Sequence, residues 1–145
     1  RVDTRRVLTA PFTLDPRLAA DTVPVCDLTL CRVLLMNDAR FPWVILVPAR
    51  PDLSEITDLA PADRLILWGE VTRASDCLRE LFAPTKINIG ALGNIVRQLH
   101  VHVVARFDGD AAWPGPVWGV GAAEPYDEAA LASIRARMVT ALEAD

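Results

Sequence analysis

The sequence predicts an α+β fold: an antiparallel sheet with one long helix packed on it and a second helix near the C-terminus. Three observations predict it. Short apolar or alternating runs are bounded by turn residues, one long stretch carries apolar positions at helical spacing, and a shorter helical pattern follows near the end of the chain. The order of hairpins, helix, hairpin and terminal helix argues for α+β with an antiparallel sheet.

Residues 1–30 are punctuated by Pro11, Pro16 and Pro24 and read as short strands and turns. Residues 28–36 are rich in Leu and Val and suit a strand. Asn37, Asp38, Ala39, Arg40, Phe41 and Pro42 supply turn chemistry before a second apolar run over 43–47, so the two runs form a hairpin. After a loop over 48–58, Pro61 and Asp63 mark a helix start. Leu67, Val71, Ser75, Leu78 and Phe82 follow on one face, with Arg64, Glu70, Arg73 and Arg79 mostly elsewhere, over about five or six turns until Pro84. Residues 85–91 alternate, Ile87 and Ile89 against Lys86 and Asn88, and a glycine-containing loop follows. Residues 98–105 alternate again, with Gln98, His100 and His102 on one face and Leu99, Val101 and Val103 on the other. Residues 108–121 are too irregular for an element. Asp127 caps a last helix, about 127–143, carrying Leu131, Ile134, Met138 and Leu142.

The 145 residues suit one domain, and 52% hydrophobic with 23% charged residues is globular composition. A formal net charge of −4 gives no basic excess for phosphate-backbone binding, so no nucleic-acid polymer is expected as a partner. No apolar run approaches the ~20 residues of a membrane span, and no membrane partner is expected. Cys26, Cys31 and Cys77 form neither a CxxC pair nor an even set, which reads as reduced thiols and a cytoplasmic protein. The chain begins at Arg1 rather than Met, so a few preceding residues are expected; nothing here calls for a targeting peptide.

The only two histidines are His100 and His102. On a strand their Cα atoms stand ~6.6 Å apart on one face. Such a pair serves as hydrogen-bonded surface residues, as metal ligands or in catalysis. Zinc wants three or four ligands and there is no third histidine, so neither metal nor cofactor is expected. Upstream, Asn88, Gly90, Gly93 and Asn94 form a glycine-containing turn whose backbone N–H groups suit an anion.

Together these residues, INIGALGNIVRQLHVHVVAR over 87–106, resemble the signature of the histidine triad (HIT) superfamily, His-φ-His-φ-His-φ-φ preceded by Asn-x-Gly and Gly-Gln-Ser/Thr-φ. Residues 31–48 are similar to the family's first hairpin, and Trp113-Pro114 to the loop that closes its nucleotide site; residues 28–118 are covered. The resemblance implies one HIT-like domain over 1–145, with about five antiparallel strands, usually a homodimer. It also implies binding of a small-molecule nucleotide, hydrolysed or transferred through a covalent nucleotidyl-histidine. The central histidine falls on His100, a neutral imidazole whose second nitrogen is held by the backbone carbonyl of residue 98. His102 matches the residue near the phosphate and leaving group, where it would supply positive charge or a proton. Residues 93–96 (Gly93, Asn94, Ile95, Val96) match the phosphate cradle. Asn88 is a contact to phosphate or ribose, or a lone polar strand residue. Asn37 and Asp38 fall where the family meets the ribose, or simply build the turn. Trp113 lies over a neighbouring subunit's site, or packs.

Three departures stand out. Gln98 replaces the first histidine of the triad, which removes a titratable group but keeps the carbonyl. Ile95 replaces a hydroxyl donor, worth ~0.5–1.5 kcal/mol net, and Asn94 the usual Gln. Trp43 stands at about the place of an upstream histidine that supports the triad. Arg97 points away from His100 and Arg106 is read as a solvated or phosphate-near charge at the strand end. The leading expectation is a hydrolase or nucleotidyl transferase acting on nucleoside phosphate esters, phosphoramidates or dinucleoside polyphosphates. A slow or inactive nucleotide sensor on the same fold is the alternative, and a metal-binding structural protein is a third.

Overall fold

The computed structural model describes residues 11–144. Along the chain run α1 (Pro16–Asp21), β1 (Thr22–Asp27), β2 (Cys31–Met36), β3 (Trp43–Pro48), α2 (Pro61–Phe82), β4 (Lys86–Gly90), β5 (Val101–Arg106) and α3 (Glu128–Glu143), with a 3-10 turn at Ile56–Asp58. The strands form one five-stranded sheet in the order β1-β2-β3-β5-β4. Every neighbouring pair is antiparallel. This is the α+β architecture the alternating runs predict.

Side chains alternate across the sheet, and the register assigns them to two faces. Val33, Leu35, Val44, Leu46, Val101, Val103 and Ala105 pack with Leu67, Val71, Ala74 and Leu78 of α2 and Met138 and Leu142 of α3. Each Val, Leu or Met side chain among them taken from water contributes about 1.5–3 kcal/mol, so this helix-covered face holds most of the apolar stabilisation. Leu34, Phe41, Trp43, Ile45, Val47 and Val104 make a smaller cluster on the opposite face, joined by Leu18 and Val117. That second face has no long helix over it. It is left for the site.

α2 begins with Pro61 in its first turn and Asp63 near its positive end, as the sequence indicates. It ends at Ala83, whose φ of 46° is left-handed and whose N–H reaches the Arg79 carbonyl. Asp127 caps α3, its carboxylate accepting from the Ala130 N–H at 2.8 Å.

Several expectations are corrected. Residues 16–21 are a helix rather than strand and turn: Asp15 accepts from the Arg17 N–H and Pro16 opens the first turn, but six residues are too few to show a period. The part of that expectation on residues 1–10 lies outside the described residues. β5 starts at Val101, three residues later than the alternation suggests. Its pairing with β3 ends at Leu46↔Val101 and with β4 at Gly90↔His102, so residues 98–100 have no ladder partner. Leu99 instead donates its N–H to the Leu53 carbonyl.

Glu70 is buried at 6% exposure rather than on the polar face. Its carboxylate accepts from the N–H groups of Leu30 and Cys31, the latter at 2.7 Å, which satisfies the turn between β1 and β2. Arg106 is not solvated: at 1% exposure it pairs through Nε with Asp110 at 2.8 Å and donates from Nη1 to Asn88 Oδ1 at 2.8 Å. The three cysteines are free, and burial pushes the Cys77 thiol up to about 11.

Candidate functional site

β5 is hydrogen-bonded on both sides, and its register puts His102 opposite Ile45 of β3 and Gly90 of β4. Trp43, opposite Val104, is therefore the diagonal neighbour of His102 on the helix-free face. His100 stands just ahead of the ladder on the same side, with its ring centroid 4.9 Å from that of His102. Both imidazoles are 6% exposed.

The two rings are held in opposite tautomers. His100 Nδ1 lies 2.6 Å from the Gln98 carbonyl oxygen. A carbonyl only accepts, so Nδ1 carries a proton, and in the neutral ring Nε2 keeps the lone pair. Trp43 Nε1 lies 3.0 Å from His102 Nδ1. An indole N–H only donates, so Nδ1 of His102 is the acceptor and its proton sits on Nε2. One ring thus offers a lone pair and its neighbour an N–H.

Burial, and then the neighbouring His100, pushes the His102 pKa down to about 3. The ring is neutral near pH 7, so the positive charge expected of it is absent; what it offers is a hydrogen bond. Trp118 leans edge-on against His102 with centroids 5.3 Å apart, and against Trp43 at 6.5 Å. A Cβ at Gly90 would stand 2.9 Å from Trp118 Cη2, so the absence of a side chain there admits the indole.

The loop between β4 and β5 supplies backbone donors. Gly93 adopts φ +73°, which favours glycine. Among the described residues, the N–H groups of Gly93, Asn94, Ile95 and Val96 have no main-chain partner. These four residues border a cleft of about 680 Å³ that also takes in His100, His102, Trp43 and Trp118.

The structure gathers Asn37, Asp38, Gly93, Asn94, Ile95, Val96, His100 and His102 around that cleft. Asn37 and Asp38 are also committed to the turn. Asn37 Oδ1 accepts from the Tyr126 N–H at 2.9 Å, and Asp38 is 2% exposed and ion-paired with Arg40 at 2.8 Å. Burial works against the Asp38 charge, but the Arg40 guanidinium and the N–H groups of Arg40 and Glu124 outweigh it and hold the carboxyl below its usual range. Arg40 Nη1 reaches the Val120 carbonyl, fastening this turn to the segment that closes the cleft.

Three candidates stand apart. Asn88 serves Arg106, Trp113 lies against the Arg106 guanidinium at 5.7 Å, and the Gln98 side chain is bonded to residues 13 and 15. Missed from the sequence were Arg17, Leu18 and Asp21 of α1, and Trp118, all lining the cleft. The Asp15-Pro16 cap signal was the one trace of α1. Among the described residues no cluster of three His, Cys, Asp or Glu side chains is arranged for a metal.

An α+β sheet carrying paired imidazoles beside backbone N–H groups without main-chain partners has the chemistry to receive an anionic ligand. The HIT domain model matches residues 17–109, and the chain belongs to the HIT family. It is similar to histidine triad proteins of Sinorhizobium meliloti (53% identity, 88% of this chain and 94% of that one, TM-score 0.86) and Marinobacter aquaeolei (46%, 92% and 98%, TM-score 0.90). A third, from Bradyrhizobium japonicum, is 43% identical over 91% of this chain and 98% of its own, with a TM-score of 0.89. No curated protein matches closely enough to compare.

Proposed function

We propose that the protein is a nucleotide-binding hydrolase or nucleotidyl transferase that works through a covalent nucleotidyl-histidine on His100. The observation that carries this reading is the pair of opposite tautomers beside the cradle of 93–96. A phosphoryl group on the cradle has its charge met by backbone N–H groups. The His100 Nε2 lone pair forms a bond to phosphorus while the bond to the leaving group breaks and that group departs with its electron pair. The imidazolium so formed is stabilised through Nδ1–H by the Gln98 carbonyl. Water then attacks phosphorus and gives up a proton to solvent, the P–N bond breaks, and the pair returns to Nε2. His102 Nε2–H hydrogen-bonds an oxygen or nitrogen of the departing group, while its full protonation falls to solvent.

Substrates fitting this chemistry are nucleoside phosphate esters, phosphoramidates and dinucleoside polyphosphates. Mass spectrometry of protein quenched during turnover of adenosine 5′-phosphoramidate tests the step: a nucleotide adduct on His100, absent in His100→Ala, is the result expected. Full turnover by His100→Ala sinks it.

One observation favours a second reading, a nucleotide sensor. Ile95 brings no hydroxyl to the cradle and His102 no charge, so leaving-group departure lacks an acid. Tight binding of nucleotides with no product release across those substrate classes distinguishes it.

The working form is a homodimer. Leu65 and Trp68 of α2 are 77% and 48% exposed, and Ile89 on the edge strand is 46% exposed on the helix-covered face. The free, buried Cys31 and Cys77 suit a reducing compartment, the cytoplasm. Among the described residues no helix is long and apolar enough to cross a membrane.

A further inference from the structure

The carboxamide of Gln98 reaches to the segment before α1. Its Oε1 accepts from the Asp15 N–H at 2.8 Å, and its Nε2 donates to the Thr13 carbonyl at 2.8 Å. A carboxamide presents an acceptor and a donor side by side, so it meets an N–H and a C=O two residues apart as a neighbouring strand would. An imidazole points its two nitrogens in different directions and does not make that pair. Both tethered residues precede residue 17, where the family match begins.

What the tether holds is a wall of the cleft. Asp15 caps α1 through the Arg17 N–H at 2.8 Å, and Thr22 Oγ1 closes its other end on the Leu18 carbonyl at 2.7 Å. Leu18, 5% exposed, packs into the cluster that includes Trp43 and Ile45. Arg17, Leu18, Ala20 and Asp21 all line the cleft that holds the two imidazoles.

We propose that Gln98 is a positioning residue that acts through α1: its side chain docks this wall while its backbone carbonyl orients His100, so one residue sets both the shape of the cleft and the tautomer of the imidazole. The ligand used to test it rests on the nucleotide reading; the tether does not. The replaced first histidine is then a change of task, from the reacting centre to the rim.

Amide hydrogen exchange of residues 14–21, read together with calorimetry of adenosine 5′-monophosphate, tests the proposal. Gln98→Leu keeps the carbonyl and removes both side-chain bonds. It is expected to speed exchange in α1 and weaken nucleotide binding about tenfold, with KM for adenosine 5′-phosphoramidate rising more than kcat falls. Asp15→Pro removes the tethered N–H at a φ of −53° that proline accepts, together with the cap, and combined with Gln98→Leu its cost should be less than additive. Asp15→Ala removes only the cap and should do less.

Unchanged exchange in Gln98→Leu overturns the tether. A fall in kcat with KM unmoved overturns the positioning role, because Gln98 would then act at the reacting atoms. If the wild type binds no nucleotide while α1 exchange still responds to Gln98→Leu, the nucleotide reading fails and the tether stands.

Discussion

The indole N–H of Trp43 is bonded to Nδ1 of His102 at 3.0 Å, and this contact decides which nitrogen of His102 carries the proton. Trp43→Phe keeps an aromatic ring but deletes the donor. Leaving a buried acceptor unpaired costs about 1–3 kcal/mol. The variant is expected to lose roughly that much stability in urea unfolding. Nitrogen-15 imidazole shifts should show His102 leaving its single Nε2–H tautomer, and an unchanged spectrum would count against the assignment.

Stability should fall with acid before the carboxylates titrate. The folded His102 pKa of about 3 lies below the ordinary histidine value of 6.5. Between those values the unfolded chain binds a proton the folded one refuses, so the folded state is favoured fully above pH 6.5 and progressively less as pH falls toward 3. The slope for one such group approaches about 1.4 kcal/mol per pH unit. Urea midpoints between pH 7 and 4.5 measure it, and His102→Phe should flatten the curve in that window.

Gly90 is constrained by its neighbour rather than by its backbone. The Cβ of Gly90→Ala meets Trp118 Cη2 at 2.9 Å, so the indole or the strand must give way. A cost of about 1–3 kcal/mol is expected, as for other overpacked positions, with an accompanying change in tryptophan fluorescence. Wild-type stability and emission would show that Trp118 has room to spare.

Glu70 ties α2 to the β1–β2 turn through the N–H groups of Leu30 and Cys31. Glu70→Leu strands both donors and should lower stability by about 2–5 kcal/mol, whereas Glu70→Gln keeps an oxygen and should lose less. Equal loss in both variants would mean that the full carboxylate, rather than one accepting oxygen, is what the turn requires.

The long elements were legible because their signals are redundant. Pro61, Asp63 and a sustained apolar face all mark α2, and Asp127 with Leu131, Ile134, Met138 and Leu142 marks α3. The histidine pair was legible because two residues apart on a strand means one face. Less visible was anything set by partners remote in the chain. Glu70 looks like any helix-surface acid until the turn at Leu30 and Cys31 is brought over it. Arg106 looks solvated until Asp110 and Asn88 close on it. The strand start at 98 was misjudged because alternation continues past the point where β3 and β4 run out of partners. Trp43 read as a missing histidine, although its indole N–H supplies the hydrogen bond that fixes the second ring.

The Gln98 oxygen that orients His100 belongs to the main chain, and no point substitution can delete it. Whichever side chain stands at position 98, Nδ1 of His100 therefore keeps its acceptor.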